Sequence, residues 1–310
     1  MPHEPVDHLD ELRVATASSL PLNALAPLAY AAQHNAFEGL SNQRDLIADW
    51  LVDRLSAGHA THLSILAVGC GDGLLDAAVA ERLLAGGPDR CALRYVGVEP
   101  LEASARQFNE RMGRIGSDQL SFDTVVAPFA EAVLDETFDV VTFVHSMYYL
   151  PDIAHALRAA RALLRPNGVV LVLSAPRGVL NLLVDLIAPE IDGHRQWFSS
   201  DVCEAVTSIG VGPAYPSPIE AVVDLTGASD DVLDFTVQAE LTPEFRRLVR
   251  RYLAEASLVA GRSVVPHPVD VYAVGAAPRS SACRGGRREG EHGWPMASPH
   301  SGDAQSPDSM

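Results

Sequence analysis

The 310-residue chain contains no lysine: its 23 basic residues are all arginine, set against 40 acidic ones, for a formal charge of −17. Affinity for a phosphate backbone rests largely on basic side chains releasing counterions, so this balance argues against nucleic acid as a partner. Cysteine is scarce, with Cys70, Cys91, Cys203 and Cys283 and no C-x-x-C pair, which argues against a zinc site or a disulfide framework. Free thiols suit a reducing compartment. No apolar run approaches the roughly 18 residues of a membrane span. The opening MPHEPVDHLDEL carries acids rather than the apolar core of a signal peptide. These absences predict a cytoplasmic, soluble protein, monomer or homodimer, with no metal and no membrane partner. What the chain does have is apolar mass, 47% of its residues, enough for a sizeable core.

Residues 1–20 are polar and carry prolines, and read as a flexible arm. Residues 22–55 have a helical pattern in two pieces separated near Gly39-Leu40-Ser41, with Ser41 as a candidate N-cap. The rhythm then changes. Strands are expected at 62–69, 94–99, 120–127 and 138–146, with helices at 74–87, 101–113 and 152–164 between or after them. A Pro-Asn-Gly turn and another strand follow, ending at Ser174. Strands alternating with helices predict a parallel sheet with right-handed crossovers. Four more helices (178–188, 199–209, 230–238 and 243–260) precede a last strand at 269–276. From residue 277 to 310 the composition falls to Arg, Gly, Ser and Pro, which predicts a disordered tail.

Four motifs carry chemistry. VGCGDG (68–73) follows a strand and opens a helix, so Gly69, Gly71 and Gly73 allow a sharp turn and a close ligand. Glu99 ends the next strand, where a carboxylate can accept two hydrogen bonds from a ribose diol. Together these indicate an adenosyl ligand. Asp72 inside the loop would repel a pyrophosphate, whereas S-adenosylmethionine carries an ammonium and a sulfonium and no phosphate. The third motif, FDVVTFVHSMYYLPD (138–152), ends a buried strand at the sheet edge where α/β ligands bind, and the fourth is LLRPNGVVLVLS (163–174).

In this order the motifs resemble those of class I methyltransferases. That resemblance implies a Rossmann-like α/β fold with a seven-stranded, mostly parallel sheet, helices on both faces and a helical substrate cap. The domain would span 21–276, with cap elements at 21–57 and 177–268. The cofactor would be S-adenosyl-L-methionine, contacted by Gly69, Gly71, Gly73, Glu99, Val126 and Val144. Residues 28–276 also resemble the histamine N-methyltransferase family, through the paired N-terminal helices, ILAVGCGDG, VGVEP, Met147-Tyr148-Tyr149 and SSDVCEAV. By that likeness Tyr30, Phe37, Tyr148, Tyr149 and Phe235 line the acceptor pocket. The chain departs from the family at Gln43 (a Glu there), at His145 (a Gln), at His267 (an Asn), and at Val179 and Leu183 (two tryptophans). His34, on the same helix as Tyr30, joins Gln43 and His267 as a substrate-contact candidate.

Losing the Glu removes a charge partner for an amine. The expected acceptor is therefore a small aromatic amine or nitrogen heterocycle of specialised metabolism, methylated at nitrogen. Carbon methylation of an indole and a non-catalytic adenosyl-binding subunit stay open as alternatives. Methyl transfer from a sulfonium is an in-line displacement in which alignment supplies up to about 7–11 kcal/mol. His145, with an ordinary pKa near 6.5, is the candidate base, and Tyr148 its companion.

Overall fold

Runs of Val, Leu and Ile between glycine turns form the central strands, because a sheet buried on both faces leaves no place for polar alternation. The computed structural model describes residues 6–275 apart from residues 20, 21, 26, 57–60, 86–91, 189, 192 and 212–214. Strands β1 (His62–Val68), β2 (Ala92–Val98), β3 (Leu120–Val125), β4 (Phe138–Val144) and β5 (Leu164–Ser174) are mutually parallel. A two-residue hairpin, β6 (Glu190–Ile191) and β7 (His194–Arg195), follows. Then come β8 (Ser217–Ile219), β9 (Val222–Asp224), β10 (Val264–Pro266) and β11 (Val269–Gly275). The seven-stranded sheet has the order β3-β2-β1-β4-β5-β11-β8. Only β11 runs against its neighbours.

The helices are α1 (Val6–Ser18), α2 (Pro27–Glu38), α3 (Gln43–Ser56), α4 (Leu74–Leu84), α5 (Glu102–Arg114), α6 (Ile153–Ala162), α7 (Val179–Ile187), α8 (Ser199–Ser208), α9 (Asp230–Val237) and α10 (Pro243–Glu255). Alternation along β2 shows which face each covers. Val96 and Val98 pack with Leu157 of α6 and Val202 of α8. Tyr95 points the other way, its ring 6.3 Å from Phe108 of α5 and its hydroxyl donating to Asp76 of α4 at 2.7 Å. Each such side chain, fully buried, contributes roughly 1.5–3 kcal/mol. Asp152, Ser229 and Thr242 cap α6, α9 and α10 by accepting from the backbone N–H three residues on.

A second apolar cluster joins α1, α2, α7, α9 and α10 with β9 and β10. It is drawn from both ends of the chain: Ala24 bridges to Ala239 and Ser41 to Val223. Here the sequence reading of 1–20 as a loose arm is corrected. Leu9 and Leu12 stand three apart on α1 and bury 6% and 0% exposed beside α7 and α10, so the segment from Val6 is a packed helix. Two residues suffice to anchor it, too few to stand out against the acids around them. Strands β8, β9 and β10 were not expected, because three residues are too short to show a period. Helices α4 and α10 end at Leu84 and Glu255, earlier than expected, and the Pro-Asn-Gly segment lies within β5. The expected tail at 277–310 lies outside the described residues. No helix among the described residues is long and apolar enough to cross a membrane.

Candidate active site

The loop from β1 to α4 turns through positive φ at Gly69 (69°), Gly71 (56°) and Gly73 (74°), a region that L side chains avoid. The three glycines face different things. A Cβ at Gly73 would lie 2.6 Å from Phe108, and one at Gly69 would lie 2.5 Å from the Cβ of Ser146. At Gly71 it would meet nothing within 4 Å. Gly71 therefore borders open space. Gly73 is buried against α5, so helix packing accounts for its missing side chain. Gly69 is backed by Ser146, so only its main chain is left to reach a ligand.

Glu99 is turned toward this loop. One carboxylate oxygen accepts from the Gly71 N–H at 3.0 Å and the other from the Leu101 N–H at 3.0 Å. A carboxylate has about four acceptor positions, so two remain for the two hydroxyls of a ribose. Burial raises the Glu99 pKa, and the two backbone hydrogen bonds oppose that rise. The open side of Gly71 and the spare acceptor positions of Glu99 fit the adenosyl group. Val126, just beyond β3, is 51% exposed and borders a shallow groove with Glu102, Asn109 and Arg106. Val144 is the half-buried last residue of β4.

Asp72 does not play the part expected of it. Its side chain accepts from Arg111 of α5 at 2.9 Å and from the Leu74 N–H at 3.1 Å. It closes the first turn of α4 and is neutralised by an arginine, so the charge that the sequence reading set against a pyrophosphate is already matched. The spacing of 39 residues to Arg111 gave no local signal. Cys70, a free thiol in the same loop, is held in its neutral form by burial first and by Asp76 and Glu99 second.

Beyond β4 the backbone kinks at His145, which has φ 50°. The side chains that follow form one hydrogen-bonded series. The Ala175 N–H donates to the Tyr148 hydroxyl at 2.9 Å, and that hydroxyl lies 2.8 Å from His145 Nδ1. His145 Nε2 lies 2.7 Å from Gln43 Oε1, and Gln43 Nε2 donates to the His267 carbonyl at 2.6 Å. His267 Nδ1 lies 2.8 Å from Ser41 Oγ. Gln43 is 2% exposed with both ends of its amide occupied. It is therefore a wall-bracing residue, and the expectation that it touches substrate directly is corrected.

Aromatic rings stand around this series. Phe235 lies 5.4 Å from the His34 ring and 5.2 Å from Phe37, and Phe37 lies 5.3 Å from His267. Tyr149 is 43% exposed and meets Tyr148 edge-on at 6.4 Å. The structure thus brings together His34, Phe37, Gln43, His145, Tyr148, Tyr149, Phe235 and His267. Tyr30 belongs to α2, but its side chain lies outside the described residues. Leu183 is fully buried in the cap core rather than facing a ligand.

The three imidazoles are all held neutral. Burial, reinforced by His267 and His34, lowers the His145 pKa to about 3. Burial alone lowers that of His267 to about 4. His34 is lowered by burial too, with Glu38 opposing and Arg44 assisting. An imidazole this weakly basic takes no proton at neutral pH, which overturns the expectation of His145 as a general base at ordinary pKa. The nearby acids are tied up, Glu38 to Arg44 at 3.0 Å and Asp72 to Arg111 at 2.9 Å. The cluster is aromatic and, at neutral pH, electrically neutral.

Comparison with known proteins places this geometry. A family model described as a methyltransferase domain matches residues 40–207, more than half of the chain. The ubiquinone biosynthesis O-methyltransferase of Leptothrix cholodnii is 24% identical over 154 residues, covering 50% of this chain and 61% of that protein. That of Histophilus somni is 31% identical over 115 residues, covering 37% and 45%. The chain thus aligns with less than two thirds of the length of either relative. Among solved structures, magnesium protoporphyrin IX methyltransferase of Synechocystis, which holds bound S-adenosylhomocysteine, matches with a TM-score of 0.45 at 12% identity, covering 87% of this chain and 98% of that one. By the family model that matches residues 40–207, the chain belongs to the methyltransferase-domain family.

Proposed function

We propose that the protein transfers the methyl group of S-adenosylmethionine to a nitrogen of a small, uncharged aromatic molecule, an arylamine or a nitrogen heterocycle. The observation that carries this reading is the neutral side-chain cluster beyond β4: three imidazoles with lowered pKa values among aromatic rings, with Glu38 and Asp72 each paired to an arginine. An aliphatic amine has a pKa near 10 and arrives as a cation, and among the described residues of the cluster no carboxylate is left without an arginine. A phenol, also with a pKa near 10, needs a base, and imidazoles with pKa values of about 3 and 4 are poor ones. The same lack disfavours carbon methylation of an indole, which gains from removal of its ring N–H proton. A heteroaromatic or aryl nitrogen has an available lone pair at neutral pH and asks only to be aligned. The likeness of the pocket motifs to the histamine N-methyltransferase family supports a nitrogen acceptor.

The cofactor supplies an electrophilic methyl on a sulfonium. The protein holds the adenosyl end with Glu99 and the loop at Gly71, and the end of β4 at Val144 and His145 faces the reacting region. Phe37, Phe235 and Tyr149 exclude water and present ring faces to the acceptor. Release of the proton from the methylated nitrogen follows transfer and requires no buried base. A hydroxyl acceptor is the second reading, favoured by the O-methyltransferase names of the relatives. Incubation with labelled S-adenosylmethionine and a panel of arylamines, imidazoles, indoles and catechols distinguishes them. Methylation at nitrogen is expected, and turnover confined to catechol hydroxyls would refute the proposal.

A further inference from the structure

We infer that Gln43 is a positioning residue: it fixes the His145 ring in one tautomer and ties it to the cap, making that ring a rigid wall of the acceptor site. The proton assignment follows from the Gln43 end of the hydrogen-bonded series and is compatible with the other. At one end the His267 carbonyl only accepts, so the Gln43 group 2.6 Å from it is the NH2. The amide oxygen is then the atom facing His145, and His145 Nε2, 2.7 Å away, carries the proton. At the other end the Ala175 N–H only donates, at 2.9 Å, so the Tyr148 oxygen accepts there. Its own proton can then be given to His145 Nδ1, 2.8 Å away. The Gln43 end demands the Nε2–H tautomer, and the Tyr148 end accommodates it with Nδ1 as acceptor.

The anchor points lie on separate parts of the fold. Gln43 opens α3, His145 follows β4, Ala175 follows β5, and His267 lies between β10 and β11. Ser41 adds a further tie, accepting from the Gln43 N–H at 3.1 Å while lying 2.8 Å from His267 Nδ1. One buried amide thereby braces the sheet edge against the cap. The titratable groups that act on the His145 ring are His267, His34 and the hydrogen-bonded Tyr148, and no carboxylate is among its hydrogen-bond partners. The inference rests on the site lying at the end of β4, but not on which atom of the acceptor is methylated.

The test is long-range 1H–15N correlation spectroscopy of the histidine rings in the full-length protein, which needs no acceptor. The wild type should show His145 as the Nε2–H tautomer, neutral at pH 5. In Gln43→Glu the carboxylate still accepts from Nε2–H, so the tautomer should persist while the His145 pKa rises by at least one unit. In Gln43→Met, of similar volume, the Nε2–H preference should be lost. An Nδ1–H tautomer in the wild type overturns the inference even if neither variant folds. So does a tautomer and titration unchanged from wild type in both variants. Either result leaves the nitrogen-acceptor proposal standing, because that is tested by turnover alone.

Discussion

Lowering the pH should destabilise the protein through His145, and replacing that residue should remove the effect. In the folded state burial holds the ring pKa at about 3, whereas the unfolded chain has the ordinary value near 6.5. Between those values the unfolded state binds a proton that the folded state refuses. Stability contributed by the neutral ring is therefore present above pH 6.5 and is lost as pH falls toward 3. The slope is about 1.4 kcal/mol per pH unit, or about 2.7 kcal/mol between pH 7.5 and 4.5. The ring is not wholly closed to solvent, so an effect of about 1–3 kcal/mol is the working value. His267, at about 4, acts with the same sign. Asp76, raised by burial to about 6, acts with the opposite sign, since its folded form takes up a proton first as pH falls. Comparing wild type with His145→Asn cancels both, and Asn tolerates the positive φ at this position. Urea unfolding at pH 7.5, 6.0, 5.0 and 4.5 measures the difference. The wild type should lose about 1–3 kcal/mol more than the variant across that range. Parallel stability curves for the two proteins would refute the buried, neutral ring.

Glu99→Gln should weaken S-adenosylhomocysteine binding at least tenfold by calorimetry, about 1.4 kcal/mol, and unchanged affinity would remove the ribose assignment. In the wild type the same binding should weaken as pH falls through the raised Glu99 range, because the protonated acid offers the diol fewer acceptors. Gly73→Ala should cost stability by about 2–4 kcal/mol through positive φ and collision with Phe108. Gly71→Ala should instead leave a folded protein with impaired cofactor binding, and thermal melts with and without S-adenosylhomocysteine separate the two. Leu12→Ala should destabilise by about 2–5 kcal/mol, as for any fully buried leucine, and a change below 0.5 kcal/mol in urea unfolding would return α1 to the status of a loose arm.

The cofactor half was legible because its signals are local. The apolar strand, the glycine turn and Glu99 each sit within a few residues of the element they serve, and periodicity exposes them. The identity of each glycine's neighbour was not legible. Nothing near Gly73 in sequence announces Phe108, 35 residues away, or distinguishes it from Gly71, whose missing side chain leaves real space. Asp72 was misread for the same reason: its arginine partner lies on the next helix. The residues singled out for the acceptor site do lie together in the fold, but the contacts of each were not legible. Gln43 and His145 are 102 residues apart, and only the fold reveals that they satisfy one another rather than a ligand. The depressed basicity of His145 follows from burial, which a sequence read by analogy to free imidazole does not report.

The stitching of the two chain ends into one cap bears on how the protein is made. Ser41 and His267 are joined across 226 positions, and α1 packs on α10. During synthesis the first helices leave the ribosome long before the segments that will cover Leu9, Leu12 and Phe37. Contacts this distant along the chain form slowly. The nucleoside-binding framework can begin to assemble while its lid is still being translated, and the nascent chain carries those bare leucines and that phenylalanine in the meantime. A chaperone that shields the N-terminal segment would act in that interval.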